Sequence, residues 1–220
     1  MIVIDDLPRP VPAAGEVLVR VVSAGVGPWD ALIREGKSAV NSPLPLTLGS
    51  DLSGVVEAFG PGVTGFQPGD QVYGVTNPEF IGAYAEFALT FSRRVARKPG
   101  DLSFTEAALV PVVAVTAWQM LVDYAKAKPD EIVLILGAGA GVGGYAVQFA
   151  SQAGLHVFAA ASADDAQDVR SLGATTVIDY HRDRFEEVMP MVDVVLDMVG
   201  GDMRERSLEI IKPGGILVSL

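Results

Sequence analysis

The chain has 220 residues, a mass of 23.1 kDa, 50% hydrophobic residues and no cysteine. That composition supports a sizeable core and excludes a disordered chain, disulfides, a thiolate nucleophile and Cys-ligated zinc. The net charge is −11, and acidic residues outnumber basic ones twelve to eight before residue 111 and fifteen to eight after it. Neither half therefore has the basic footprint of a nucleic-acid binder or an attraction to an anionic membrane.

The chain opens without a basic start ahead of an apolar run, so no targeting segment is expected. The most apolar stretch, Ala107 to Leu121, is interrupted by Pro111, Thr116 and Gln119 and is too short to span a bilayer. The expectation is a soluble, cytoplasmic protein.

The first hundred residues read as β-rich. Glu16 to Val22 alternates as a strand does, and Gly54–Phe59, Gln71–Gly74 and Tyr84–Leu89 are further short β-type runs. Pro61-Gly62, Pro68-Gly69 and Pro99-Gly100 punctuate them as turns. A short helix is predicted from Trp29 to about Glu35, stopped by Gly36. Ser103 with Glu106 forms a capping-box pattern that opens a helical stretch. Pro111 should break that stretch, and its second piece should end near Lys126.

From Asp130 onward strands and helices alternate. Ile132–Leu136 is a continuous apolar run, as a strand buried on both faces should be. Helix Gly141–Ala153, strand His156–Ala161, helix Asp164–Leu172 and strand Thr175–Asp179 follow. Strand Val192–Asp197, a helix from about Met203 to Ile211 and strand Ile216–Leu220 complete the pattern. This order predicts a parallel sheet with helices on both faces. Two domains result, a β-rich one over residues 1–108 and a doubly wound α/β one over residues 109–220.

The strand ending at Leu136 runs into a glycine-rich turn in which Gly139, Gly141 and Gly144 fit G-x-G-x-x-G. Between a strand and a helix this pattern lets a pyrophosphate approach backbone N–H groups at the helix start. The plainer alternative is that the glycines only allow close helix–sheet packing. An NAD site usually carries an acid at the tip of the second strand for the ribose 2′-OH. Here the tip reads Ala159-Ala160-Ala161-Ser162, which favours a 2′-phosphate and hence NADPH over NADH, with Ser162 as a donor to it. Asp164 and Asp165 just beyond would repel a phosphate if they faced it, but at a helix start they would also complement the macrodipole.

These residues carry a resemblance. The stretches Gly25–Asp30 with Ile33–Gly36, Leu48–Val56, Gly69–Gly74, Gly82–Glu86 and Val115–Gln119 match a known family in order and spacing. So do the glycine turn with Gln148, Leu172–Ala174, Ile178–Tyr180, Leu196–Gly201 and Lys212–Gly215. The chain resembles the zinc-free quinone oxidoreductase (zeta-crystallin-like) branch of the medium-chain dehydrogenase/reductase superfamily. The resemblance implies a GroES-like catalytic domain joined to a Rossmann domain, with the active site in the cleft between them. It also implies hydride transfer from NADPH to a quinone or activated enone, and possible homodimers. By the same resemblance, Thr116 lies beside the nicotinamide ribose or carboxamide, and Gly139, Gly141, Val142 and Gly143 line the pyrophosphate. Ser162 and Tyr180 flank the 2′-phosphate, and Val199 and Gly200 lie near the nicotinamide.

Departures from the family pattern are also visible. Zinc relatives place a Cys where this chain has Gly27 and a His-Glu pair where it has Ser50 and Asp51, so no metal is expected. Some members have Asn at the position of Gly27, and a Lys used near the 2′-phosphate aligns with Asp165. Relative to family members the chain reads as shortened at both ends. The catalytic domain would lack a first strand and its return segments, and the Rossmann domain its last strand.

Other residues admit plainer readings. Asp51, between turn glycines, would cap backbone N–H groups more readily than act in a cleft. Trp29, Tyr73, Phe80 and Tyr84 form either an aromatic wall for a planar acceptor or ordinary core. Trp118 reads as core, His156 and His181 as solvated bystanders, and the mixed-charge run Arg182–Glu187 as a solvated helix start. No general acid is identifiable, so hydride would be delivered by positioning and solvent would supply the proton. The alternatives are a non-catalytic NADPH-binding remnant and an enoyl-thioester reductase-like enzyme.

Overall fold

The computed structural model describes residues 4–38 and 43–220. Two compact units divide between Val112 and Val113.

The first unit is built on an antiparallel sheet. Its strands are β1 (Glu16–Ala24), β2 (Asp51–Phe59), β3 (Gln71–Val75), β4 (Phe87–Phe91) and β5 (Val95–Arg97), in the spatial order β4-β1-β2-β3-β5. Every second residue of β1 and β3 turns inward, so Val17, Val19 and Val72 meet Leu52 and Val56 of β2 in one core, as a two-residue side-chain period requires. Helix α1 (Pro28–Arg34) lies in the chain between β1 and β2, with Pro28 at its first turn. The Asp30 carboxylate accepts the backbone N–H of Gly27 at 2.8 Å, so α1 caps itself. Helix α2 (Phe104–Ala107) carries the expected capping box. Ser103 Oγ accepts the Glu106 N–H at 3.2 Å, and the Glu106 carboxylate accepts the Ser103 N–H at 2.8 Å.

Helix α3 (Pro111–Trp118) begins at the proline that interrupts the apolar stretch and widens into a π-helical turn over Gln119–Tyr124. The second unit then alternates β6 (Ile132–Leu136), α4 (Gly141–Gln152), β7 (His156–Ala161), α5 (Ala166–Ser171), β8 (Thr176–Asp179), α6 (Phe185–Val188), β9 (Val192–Asp197), α7 (Gly201–Ser207) and β10 (Ile211–Ser219). All five strands are parallel, in the order β10-β9-β6-β7-β8. Strand β6 is central and buried on both faces. Val133 and Ile135 pack with Ala146, Val147 and Ala150 of α4, while Leu134 and Leu136 pack with Phe185 and Ile210 on the other side.

Several boundaries differ from the sequence expectation. The strand expected over Tyr84–Leu89 is β4, which starts three residues later and ends two later, because the segment ahead of it is tied elsewhere. Gly82 has φ +105°, and the N–H groups of Ala83 and Tyr84 donate to the carbonyls of Gly49 and Leu48. Strand β10 starts at Ile211 rather than Ile216, since Ile211 already pairs with Val192 and the Pro-Gly-Gly segment forms an irregularity within the strand. Helix α7 starts earlier than Met203 and ends in a 3₁₀ turn over Leu208–Ile210. The mixed-charge run Arg182–Glu187 is also less solvated than expected. Phe185 is fully buried, and the Glu186 side chain is 5% exposed.

Candidate functional site

The carboxyl end of β6 leads into the turn that sequence reasoning singled out. Gly137 bends there with φ +82°, a left-handed conformation that glycine adopts without strain. Helix α4 follows, with Ala140 as its N-cap residue, no side chain bonded to its first N–H groups and no acid in its first turn. An α-helix of twelve residues with that start presents unpaired donors and a positive dipole end, the chemistry that holds a phosphate. The turn is open to solvent where a ligand would approach. Gly139 and Gly141 are exposed and Val142 is half-buried. Gly143 is different, because a Cβ there would stand 2.1 Å from the Gly137 carbonyl oxygen. The plainer packing reading thus describes Gly143, which brings α4 close to β6.

Other expected residues gather around this turn. Val199 Cγ2 comes within 3.0 Å of where a Cβ on Gly137 would stand. Val199 and Gly200 are held by a residue the sequence reading passed over. Asp197, the fully buried last residue of β9, accepts both their N–H groups at Oδ1, at 2.9 and 2.8 Å, and the Ser219 hydroxyl at Oδ2, at 2.8 Å. An acid closing the apolar strand Val192–Leu196 was the signal available for it. Thr116, on α3, lines a cavity of about 270 Å³ with Gln119, Tyr124, Val218 and Leu220. Helix α3 also reaches the glycine turn, since Val113 Cγ1 is 3.3 Å from a Cβ placed at Gly141.

Ser162 follows the tip of β7. Its hydroxyl, expected to donate to a 2′-phosphate, donates instead to Asp165 Oδ2 at 2.6 Å. The Asp165 carboxylate in turn lies against the glycine turn, with Oδ2 2.6 Å from a Cβ built at Gly139. Tyr180 and His181 meet at a tilt, with ring centroids 4.2 Å apart, and His181 is exposed, as a solvated bystander would be.

In the first unit the aromatic residues divide. Trp29 and Phe80 meet edge to face at 6.0 Å. Trp29 Nε1 donates to Ser50 Oγ at 3.1 Å, and Ser50 Oγ–H donates to Asp51 Oδ2 at 2.6 Å. Tyr84 joins this group through Asp30, its hydroxyl 2.9 Å from Asp30 Oδ2. Among the described residues, no ring contact links Tyr73, on β3, to the other three. Asp51 also accepts the Val112 N–H at 2.8 Å, so it caps backbone as expected. Burial raises the Asp51 carboxyl above its ordinary range, against the lowering effect of the Ser50 and Val112 hydrogen bonds, and the Asp30 charge adds to the rise. Burial, followed by the bond to Asp30, raises the Tyr84 phenol. Asp30, 5% exposed, retains one buried carboxylate oxygen with no protein partner.

This cluster does not suit zinc. Gly27 offers no ligand atom, and both oxygens of Asp51 already accept protein hydrogen bonds. Among the described residues, no group of three His, Cys, Asp or Glu side chains is placed to hold a metal. Nor is any described helix long and apolar enough to cross a membrane.

Comparison with known proteins agrees with this architecture. Residues 13–100 match the family described as alcohol dehydrogenase GroES-like domain, and residues 141–220 match the family described as zinc-binding dehydrogenase. A tomato (Solanum lycopersicum) 2-methylene-furan-3-one reductase is 37% identical over 218 residues, covering 93% of this chain and 54% of the relative. The crystal structure of an alcohol dehydrogenase superfamily protein from Novosphingobium aromaticivorans superposes with a TM-score of 0.92 at 40% identity, covering 99% of this chain and 68% of that one. The quinone oxidoreductase from Coxiella burnetii superposes with a TM-score of 0.91 at 34% identity, covering 98% and 69%. The chain spans about half the length of the tomato reductase. With a GroES-like unit, a Rossmann-type parallel sheet and relatives that are oxidoreductases, the chain belongs to the medium-chain dehydrogenase/reductase superfamily.

Proposed function

We propose that the chain forms the cofactor- and acceptor-binding part of a nicotinamide-dependent reductase that passes a hydride to a quinone or an activated enone without zinc. The observation that carries this reading is the uncapped start of α4 behind an open glycine turn at the carboxyl end of the central strand. In a parallel sheet of this order, that is where a dinucleotide pyrophosphate is held. Gly139, Gly141 and Val142 supply backbone approach and N–H donors, Gly143 keeps α4 against β6, and Asp197 fixes the Val199–Gly200 turn where a nicotinamide would lie.

The reduced nicotinamide supplies the hydride when bound. The protein's part is to hold and orient. In the first unit, the edge-to-face Trp29–Phe80 pair offers apolar ring contact to a planar acceptor, and polarising its oxygen falls to backbone N–H groups, because the Ser50 and Tyr84 hydroxyl protons are engaged by Asp51 and Asp30. The proton would come from solvent. Zinc has no role in this reading, because the sequence has no Cys and the positions of the zinc relatives' ligands are Gly27, Ser50 and Asp51. On the choice of cofactor, the alanine-rich tip of β7 supports a 2′-phosphate and hence NADPH, whereas the carboxylate of Asp165 opposes it.

Absorbance at 340 nm tests the proposal. The purified chain is mixed with a reduced nicotinamide dinucleotide and, separately, an ortho-quinone or an α,β-unsaturated ketone. Acceptor-dependent loss of absorbance supports the reading. Tight dinucleotide binding without turnover of any acceptor would make the chain a binding module instead.

A further inference from the structure

We propose that Asp165 reads the adenosine ribose, and that its carboxylate makes this site take NADH in preference to NADPH. The inference rests on the reading of the glycine turn as a dinucleotide site.

Strand β7 ends in Ala159, Ala160 and Ala161 and offers no acid at its tip. The chain after it turns over Ala163–Asp165 before α5 begins. This turn carries Asp165 back over the glycine turn. A Cβ at Gly139 would meet Asp165 Oδ2 at 2.6 Å, its Cγ at 2.8 Å and its Cβ at 3.0 Å. Residue 139 must therefore be glycine for the carboxylate to occupy that place. An acid four residues beyond the strand thus reaches the position that a strand-tip acid would otherwise fill.

Ser162 secures it there. Its hydroxyl donates to Asp165 Oδ2 at 2.6 Å, and its oxygen accepts the Asp165 N–H at 3.3 Å. The Ser162 proton is therefore engaged with the carboxylate. Asp165 Oδ1 has no hydrogen bond from the protein among the described residues and is free to accept from a ligand. A ribose 2′-OH is a donor and fits an ionised carboxylate, which only accepts. A 2′-phosphate would bring negative charge and further acceptors to the same carboxylate, which repel. Nearby cations do not reverse this. Arg170 and Arg182 line the neighbouring cleft, but Asp179 and Asp183 line it with them.

The test is the ratio of dissociation constants for NADH and NADPH on the full 220-residue chain, read from fluorescence of the reduced nicotinamide. Wild-type protein should bind NADH more tightly by about tenfold or more, as expected for losing a charged hydrogen bond. Asp165→Asn should bring the ratio close to one, mainly by tightening NADPH. Ser162→Ala keeps the carboxylate and should keep the preference for NADH. If Asp165→Asn does not fold, the wild-type ratio decides the matter. Equal affinities, a preference for NADPH, or an Asp165→Asn ratio equal to wild type would overturn the inference and leave the dinucleotide site standing. Binding of neither nucleotide to a cooperatively folded chain would overturn both.

Discussion

The guanidinium of Arg206 holds the Glu186 carboxylate at both oxygens, Nε to Oε1 at 2.9 Å and Nη2 to Oε2 at 2.5 Å. Arg206 also lies over the Phe185 ring, 4.7 Å from its centroid, and Arg184 reaches Glu186 Oε1 at 2.7 Å. The pair therefore ties α6 to α7 above the buried Phe185. Paired bonds between ionised groups are among the stronger side-chain contacts, and breaking one leaves a poorly solvated charge.

Glu186→Gln should lower stability by about 2 kcal/mol, a fall in thermal midpoint of roughly 4–8 °C for a chain of this size. The pH dependence has a defined sign. The Arg206 hydrogen bonds hold the Glu186 carboxyl below its ordinary range. Its contribution is then full above the unfolded value of about 4.3 and is lost as pH falls through the folded value. Thermal melts of the two proteins should differ at pH 7 and converge on acidification. A gap that stays constant down to pH 3 would show that the pair contributes by packing and not by charge.

Two neighbouring glycines should separate folding from binding. A Cβ at residue 143 meets the Gly137 carbonyl oxygen at 2.1 Å, a backbone atom that cannot swing away. Gly143→Ala should cost about 3 kcal/mol as α4 is forced off β6, or roughly 6–12 °C of midpoint. At residue 141 the nearest obstacle is the Val113 side chain at 3.3 Å. Gly141→Asp should leave the fold near wild type and abolish dinucleotide binding by placing a carboxylate at the phosphate. A Gly141→Asp protein that bound NADH or NADPH normally would remove the glycine turn as the site.

Much of this was legible in the residues. The apolar run Ile132–Leu136 can only be a strand covered on both faces, and its ends are those observed. The capping box at Ser103 and the break at Pro111 are local chemistry and appear where expected. What stayed hidden depends on contacts distant in sequence. Nothing local tells that Glu186 will meet Arg206, twenty residues on. The tip of β7 reads as free of acid because the acid arrives from the following turn and its place is set by Gly139. Tyr84 reads as a strand residue, but its N–H donates to Leu48, thirty-six residues earlier, and the chain bends there.

Asp51 offers a pH test of opposite sign to Glu186. Burial raises its carboxyl above the ordinary range despite the bonds from Ser50 and the Val112 N–H. A raised acid favours folding in its protonated form. That contribution is present below the unfolded value and is lost as pH rises through the folded one. Asp51→Asn keeps an oxygen for the Val112 N–H and removes the charge. The variant should melt above wild type at neutral pH, with the advantage shrinking toward pH 4. An Asp51→Asn protein less stable than wild type across this range would mean that the two hydrogen bonds outweigh the buried charge.

The last residue of β9 should join stability to cofactor affinity. Asp197 is fully buried and accepts the N–H groups of Val199 and Gly200 and the Ser219 hydroxyl. Asp197→Ala strands three donors and should cost about 3 kcal/mol. It also frees the turn at Gly200, where φ is +75° and both N–H groups of Val199 and Gly200 are bonded inward. Dinucleotide affinity should fall by about tenfold, or 1.4 kcal/mol of binding. Asp197→Asn preserves the oxygen that both N–H groups use and can donate its amide to Ser219 Oγ. This variant should therefore recover most of the affinity lost in Asp197→Ala, as read by fluorescence titration of the bound dinucleotide. If Asn failed to restore binding while restoring the melting midpoint, the charge of Asp197 and not the turn it holds would be what the cofactor requires.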